Sequence, residues 1–405
     1  MIFAVPRGDP PPAAVSYGLL TSMESSFGKF RLLRQIGGGR LSQVFQVCAF
    51  CAYPEPLAAP TVALKRVLPA LIGEPAFVQL VVRESGLLAR LTHASLCQCH
   101  ELGVIDGCAF LTLDLVDGCT LRALMRRTSR LGIQLPPSAV VAVGLQLAEV
   151  LAYLHEGCAT PLVHLDLSPQ NVMLSRDGEL KLIDFGIARF RDGHNPPPLG
   201  GRIAGTVGYM SPEQARGEEL DPRSDQFGLG ILLWELLSGR RAFRGNTPET
   251  WKRMRTGQLP GGPELLTEAP EELTAAVLRL LRRDPTRRFG SMAEARDRLA
   301  LATSDPHSGR RPLAALVQRL MADPSFDPFD VVHHHAAALE DQDIPPGREG
   351  PTEGYAELAI EVDHGAGTPS SLVRAALPGA ELPESPFLET VPDVPDAEAT
   401  AEIGS

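Results

Sequence analysis

The chain has 405 residues, 44% of them hydrophobic, so it can build a sizeable core and exceeds one small domain. Its 38 Lys and Arg against 49 Asp and Glu leave a net charge of -11, which argues against nucleic acid as the main partner. Seven cysteines follow a start whose short apolar run Ile2–Val5 is broken by Pro6 and Pro10–Pro12, which leads us to expect reduced thiols in a cytoplasmic protein, not a secreted, disulfide-stapled one.

Residues 1–27 are Pro-rich and aperiodic, and are expected to form a loose arm. Strand-like runs follow at Phe30–Ile36, Gln43–Cys48 and Val62–Arg66, broken by glycines. Phe77, Leu80, Val81, Glu84, Leu87, Leu88 and Leu91 then recur at helical spacing. Two more strands are expected around His100–Val104 and Ala109–Val116. After Gly118 the pattern turns helical. Val140–Leu154 is amphipathic, Phe227–Leu237 is apolar nearly all round, and Ala275–Leu281 and Met292–Leu299 predict further helices. We take Phe227–Leu237 as the longest apolar stretch, too short to span a bilayer and interrupted by Glu235. A sheet-rich first part and a helical second part make an α+β architecture in two lobes, about 28–116 and 117–304.

Residues 301–405 hold 19 acidic and 5 basic residues and 13 prolines, so 305–405 is expected to be a mostly disordered tail, available for partner docking. Within it, Leu313, Leu316, Val317 and Leu320 form an i, i+3, i+4, i+7 stripe that could dock on the globular part or on a partner.

Three features carry the chemistry. Ile36-Gly37-Gly38-Gly39 and Ser42-Gln43-Val44 lie between two strands, where glycines turn the backbone and bring N–H groups near phosphate oxygens; alone, this is as well read as a hairpin. Lys65 sits in the apolar strand Val62-Ala63-Leu64-Lys65, one of only four lysines in the chain. It either snorkels or finds a buried partner, and Glu84, on the same helical stripe as Leu80 and Leu88, needs one as well. Finally His164-Leu165-Asp166-Leu167-Ser168-Pro169-Gln170-Asn171 is followed by Asp184-Phe185-Gly186. Two carboxylates and an amide on loops suit a general base with Mg²⁺ ligands.

In this order the three features resemble the protein kinase family, and specifically the bacterial eukaryotic-like Ser/Thr kinases, over roughly residues 28–300. Ser211-Pro212-Glu213 stands where that family has Ala-Pro-Glu, Asp225 opens the buried helix, and Arg288 is the arginine expected to pair with Glu213. The resemblance implies ATP and Mg²⁺ as cofactors and a protein with a Ser or Thr acceptor as substrate. By position, Gly37, Gly39 and Ser42 would cover the phosphates, with Ile36 and Gly38 also at the ATP site. Lys65, held by Glu84, would orient them, while Val44, Ala63 and Met173 would sandwich the adenine. Leu113 falls at the gatekeeper position, with Asp114 and Val116 at the hinge. Asp166 would accept the substrate proton, and Asn171 and Asp184 would ligate Mg²⁺. Thr206, in Gly205-Thr206-Val207-Gly208-Tyr209, goes in the family with Ser/Thr specificity.

Two positions depart from the family pattern. Leu165 replaces an arginine, and Ser168 replaces a lysine that helps hold the γ-phosphate on the substrate side. Losing that contact would cost about 1.5–3 kcal/mol, roughly ten- to a hundredfold in rate. An active Ser/Thr kinase is therefore the expectation, with a nucleotide-binding pseudokinase scaffold as the alternative and a small-molecule phosphotransferase as a more distant one. The segment Ile187–Ala204 holds no Ser, Thr or Tyr, and Leu165 cannot bind phosphate, so activation-loop phosphorylation is not expected to switch the protein. Cys48-x-x-Cys51 and Cys97-x-Cys99, near His93 and His100, fit either a zinc site or small core residues, and His333–His335 a solvated run.

Overall fold

The computed structural model describes residues 26–38, 42–49, 61–72, 75–191, 205–259, 266, 269–306 and 308–330. Strands β1 (Ser26–Phe27), β2 (Phe30–Gly38), β3 (Ser42–Ala49), β4 (Thr61–Val67), β5 (Cys99–Ile105) and β6 (Cys108–Leu113) form one antiparallel sheet in the order β1-β2-β3-β4-β6-β5. Register decides what each face carries, because residues paired across antiparallel strands point the same way. Gly37 pairs with Val44, Val44 with Lys65, Lys65 with Leu111, and Ala63 with Leu113. These residues share one face. Phe45 and its partner Leu64 point to the other, where Phe27 and Phe30 meet Phe110 edge-on at 5.6 and 5.4 Å. Phe27 thus belongs to this small core, and the described fold begins inside the stretch expected to be a loose arm.

Helix α1 (Pro75–Leu88) packs on β4, β5 and β6. The strand expected to run to Val116 stops at Leu113 because Asp114 turns the chain. Its N–H donates to the Gln98 carbonyl (3.1 Å), and its carboxylate accepts the Gln98 N–H (3.0 Å) and pairs with His100 (2.8 Å).

The second lobe opens with β7 (Gly118–Thr120) and α2 (Leu121–Leu131), capped by the Thr120 hydroxyl accepting from Ala123 N–H. Strand β7 pairs with β9 (Val172–Ser175), which pairs with β10 (Leu180–Leu182), and β8 (Leu162–Val163) pairs with β11 (Arg189–Phe190). Gly118 is required there: a Cβ would lie 1.9 Å from the Leu174 carbonyl oxygen.

Helix α3 (Pro137–Ala152) continues through one wider turn to Gly157. Contrary to the expectation that Phe227–Leu237 is the longest apolar stretch, Pro137–Gly157 is long and apolar enough to cross a membrane by length and composition. Here it is a core helix with ten buried residues in α3. After the short α4 (Pro212–Arg216), α5 (Pro222–Ser238) is buried from Ser224 to Leu237; Asp221 caps it by accepting from Arg223 N–H, and Gly239 ends it in the left-handed region. Helix α6 (Pro248–Thr256) packs on α4, α7 (Glu271–Leu280) on α5, and α8 (Met292–Ala300) on α3 and α5.

The packed unit does not stop near residue 304. Helix α9 (Arg310–Met321) lays Leu313, Val317 and Leu320 into the large core, with Leu316 partly buried beside them, against α3, β7 and β9. The stripe docks on the globular part because its apolar face has no other cover, so the boundary expected at 304 falls inside the unit. Gly309 lets the helix start close to α3, since a Cβ there would lie 1.8 Å from the Ser138 carbonyl oxygen. The acidic tail beyond 330 lies outside the described residues, as do Gly39, Cys51, residues 192–204 of the segment Ile187–Ala204, and His333–His335.

Candidate active site

The shared face of the sheet supplies one wall of a cleft. Ile36 and Ala63 are buried there, Met173 is buried on β9, and Gly37, Ser42, Val44, Leu113, Asp114 and Val116 are half-buried, while Gly38 is exposed at the end of β2. The Asp114 N–H is spent on Gln98, which leaves its carbonyl unbonded among the backbone hydrogen bonds of the described residues.

Lys65 donates to both Glu84 oxygens, at 2.8 and 2.7 Å, and to Asp184 Oδ1 at 3.1 Å. Burial opposes the ammonium charge, but Asp184 and Glu84 outweigh it and hold its pKa above the ordinary lysine value. Glu84 is only 4% exposed, and burial pushes its carboxyl up despite Lys65. Asp184 keeps 42% of its side chain open to the cleft; burial would raise its pKa, but Lys65 and the Gly186 N–H hold it below the usual aspartate range.

The loop between β8 and β9 carries the second group. Asp166 Oδ1 accepts the Thr206 N–H (2.8 Å) and hydroxyl (2.6 Å), and Oδ2 accepts from Asn171 Nδ2 (2.8 Å). Burial, reinforced by Asp184, raises its pKa above the ordinary aspartate value, against the pull of these hydrogen bonds. Asn171 Nδ2 also donates to the Asp166 carbonyl (2.9 Å). Its Oδ1 and Asp184 Oδ2 therefore carry no hydrogen bond among the described residues. Two hard oxygens left open in one cleft fit Mg²⁺.

Leu165 and Asp184 adopt left-handed backbone angles, φ 66° and 67°, which cost non-glycine residues about 1–3 kcal/mol each. Buried groups hold the first in place: Asp225 accepts from the N–H of His164 (2.8 Å) and of Leu165 (2.7 Å) and from His155 Nε2 (2.8 Å), and Gln214 donates to the Leu165 carbonyl (2.7 Å). Farther out, Arg288 grips Glu213 with two parallel bonds, at 2.7 and 2.9 Å.

The structure thus gathers Lys65, Glu84, Asp166, Asn171, Asp184 and Thr206, and sets Glu213, Asp225 and Arg288 beneath them. Ser168 is different. It is fully buried, and its hydroxyl has no hydrogen-bond partner among the described residues. Gln170, which the sequence did not single out for this role, donates to the Thr206 hydroxyl at 3.2 Å. Cys48 and Cys97 are separately buried, and among the described residues no group of three or more His, Cys, Asp or Glu could hold a metal ion.

A family model described as the protein kinase domain matches residues 30–298, about two thirds of the chain. Among similar proteins, the tyrosine-protein kinase MasK of Myxococcus xanthus is 30% identical over 378 residues, covering 89% of this chain and 58% of that protein. A probable serine/threonine-protein kinase of Streptomyces coelicolor is 33% identical over 275 residues, 66% of this chain and 39% of that one. The serine/threonine-protein kinase PknB of Mycobacterium tuberculosis is 30% identical over 262 residues, 63% and 40% respectively. The chain spans about half the length of these relatives.

Proposed function

The chain belongs to the protein kinase family, and on that premise we propose that it transfers the γ-phosphoryl group of Mg-ATP to serine or threonine hydroxyls of proteins, in bacterial-type signalling in the cytoplasm. The observation that carries this reading is Asp166. Its carboxylate is fixed on one oxygen by Thr206 and on the other by Asn171, which aims a base at the place where an acceptor hydroxyl would sit.

In this reading Ile36, Val44, Ala63 and Met173 enclose the adenine, with Leu113 behind it and the Asp114 carbonyl and Val116 at its edge. Gly37, Gly38, Gly39 and Ser42 cover the phosphates, and Lys65 orients them from its seat on Glu84. Asn171 Oδ1 and Asp184 Oδ2 would hold Mg²⁺, which would supply charge neutralisation at the phosphate oxygens. Asp166 takes the proton as the acceptor oxygen bonds to phosphorus and the β–γ bridging bond breaks. Ser168 contributes no cation, so turnover is slower than with a lysine there. Thr206 at Asp166 supports hydroxyl acceptors of the Ser/Thr type.

Two observations favour other readings. The name of MasK raises tyrosine acceptors, and the unpartnered Ser168 hydroxyl raises a scaffold without transfer. Incubation with Mg-ATP and dephosphorylated casein, followed by phosphoamino-acid analysis, separates the three. Phosphoserine and phosphothreonine support the proposal, phosphotyrosine the second reading, and nucleotide binding without transfer the third.

A further inference from the structure

The segment after α9 runs back to α2 and β2. The Pro328 carbonyl accepts the Thr120 N–H at 2.8 Å, just ahead of α2. Phe329 stacks on the guanidinium of Arg34 from β2, 5.0 Å from carbon to ring centre. Asp330, 10% exposed, accepts from Arg122 Nε at 3.1 Å and from Arg126 one turn on, and Asp323 holds Arg127 in the same way. Residues 323–330 are therefore fastened to α2 by three arginines and reach the strand that carries the glycines.

The contacts continue inward from Arg122. Its Nη1 donates to Gln170 Oε1 (3.2 Å), Gln170 Nε2 donates to Thr206 Oγ1 (3.2 Å), and Thr206 Oγ1 donates to Asp166 Oδ1 (2.6 Å). The Arg122 N–H also donates to the Pro169 carbonyl at 2.9 Å. Ser168 is buried, and its hydroxyl makes no hydrogen bond among the described residues, so its side chain adds no polar contact to this loop. Gln170 is an exposed, neutral amide, and a charged neighbour decides its orientation. That neighbour is Arg122, and Asp330 holds Arg122.

We propose that Asp330 is a positioning residue: by fixing Arg122 against Gln170, it sets Thr206 on the acceptor side of Asp166. This rests on the kinase reading above. The relay ends on Oδ1 of Asp166, whereas Asn171 holds Oδ2, so the effect falls on the protein acceptor and not on the nucleotide. An ion pair that only fastened the segment would change stability and leave turnover alone.

The test uses the full chain with Mg-ATP and dephosphorylated casein. Asp330→Asn and Arg122→Gln should each lower kcat for casein roughly tenfold, the loss of one charge-assisted hydrogen bond. KM for ATP and the melting temperature should stay at wild-type values. The double variant should be no slower than either single one, because both break the same relay, and Asp330→Glu should recover most of the rate. Wild-type kcat in Asp330→Asn, additive losses in the double variant, or a loss matched by a higher KM for ATP or a lower melting temperature would each overturn the proposal. If the wild type binds Mg-ATP but phosphorylates nothing, the kinase reading fails and takes this one with it. If the wild type transfers and Asp330→Asn matches it, only the positioning role is lost.

Discussion

Lys65 and Asp184 are 119 positions apart in sequence, yet Lys65 Nζ lies 3.1 Å from Asp184 Oδ1 while it also donates to both oxygens of Glu84. One ammonium therefore joins the sheet, α1 and the loop after β10. Two carboxylates share it, and this keeps the lysine protonated despite its burial.

Replacing Lys65 by methionine should abolish transfer and also destabilise the fold, because Glu84 would stay buried without its cation. Breaking a buried pair from one side costs about 3–5 kcal/mol. Adding Glu84→Gln to Lys65→Met should restore much of the melting temperature and none of the transfer. A single variant that keeps wild-type turnover would remove Lys65 from the site.

Arg288 and Glu213 make a second buried pair. Burial alone would raise the Glu213 carboxyl, but Arg288 outweighs it and holds the pKa below the ordinary glutamate value of 4.5. A depressed folded-state pKa stabilises the fold fully above the unfolded value, and this contribution is lost as pH falls below it. Melting temperature should therefore drop below about pH 4.5 more steeply in the wild type than in Glu213→Gln/Arg288→Met. Arg288→Ala alone should cost about 3–5 kcal/mol by leaving Glu213 unpaired. Denaturant titrations at two pH values check both.

Removing residues 305–405 should lower the melting temperature by about 10 °C, because Leu313, Val317 and Leu320 leave the core and expose what they cover. Leu313→Ala should cost about 2–5 kcal/mol. Gly309→Ala should push α9 away from Ser138 and reproduce part of the truncation. Thermal melts of the three variants measure this, and a truncated chain as stable as the full one would show that α9 contributes nothing.

Leu165 stands where the kinase pattern would place an arginine, and buried groups hold its backbone: Asp225 at the N–H and Gln214 at the carbonyl. The Thr206 hydroxyl is already committed to Asp166. Phosphatase-treated protein should retain most of its transfer activity. A large loss that maps to Thr206 would show a switch of the usual kind.

Much of this was legible in the sequence. Short β-type runs broken by glycines located β2, β3 and β4, helical spacing located α1, and a run apolar nearly all round located α5, which is buried on every side. The pairing of Lys65 with Glu84 could be inferred because two buried charges of opposite sign each lacked a partner. What the sequence hid is contact across long separations. Nothing in the spacing of Asp330, Arg122 and Gln170 links three exposed-type polar residues, and the end of the strand at Leu113 depends on a side chain reaching back to Gln98. The boundary at 304 misled for another reason: composition shifts toward charge and proline there, while four apolar positions still suffice to dock a helix.

The most direct measurement is the initial rate of phosphate transfer from Mg-ATP to dephosphorylated casein, for wild type and Asp166→Asn, as a function of pH. Asp166 must be ionised to take the proton, and burial raises its pKa above the ordinary aspartate value of 3.8. The account predicts a wild-type rate that rises with pH through an acid limb lying above that value, and no transfer by Asp166→Asn at any pH, with nucleotide binding retained. Equal rates in the two proteins, or no transfer by the wild type, would contradict it.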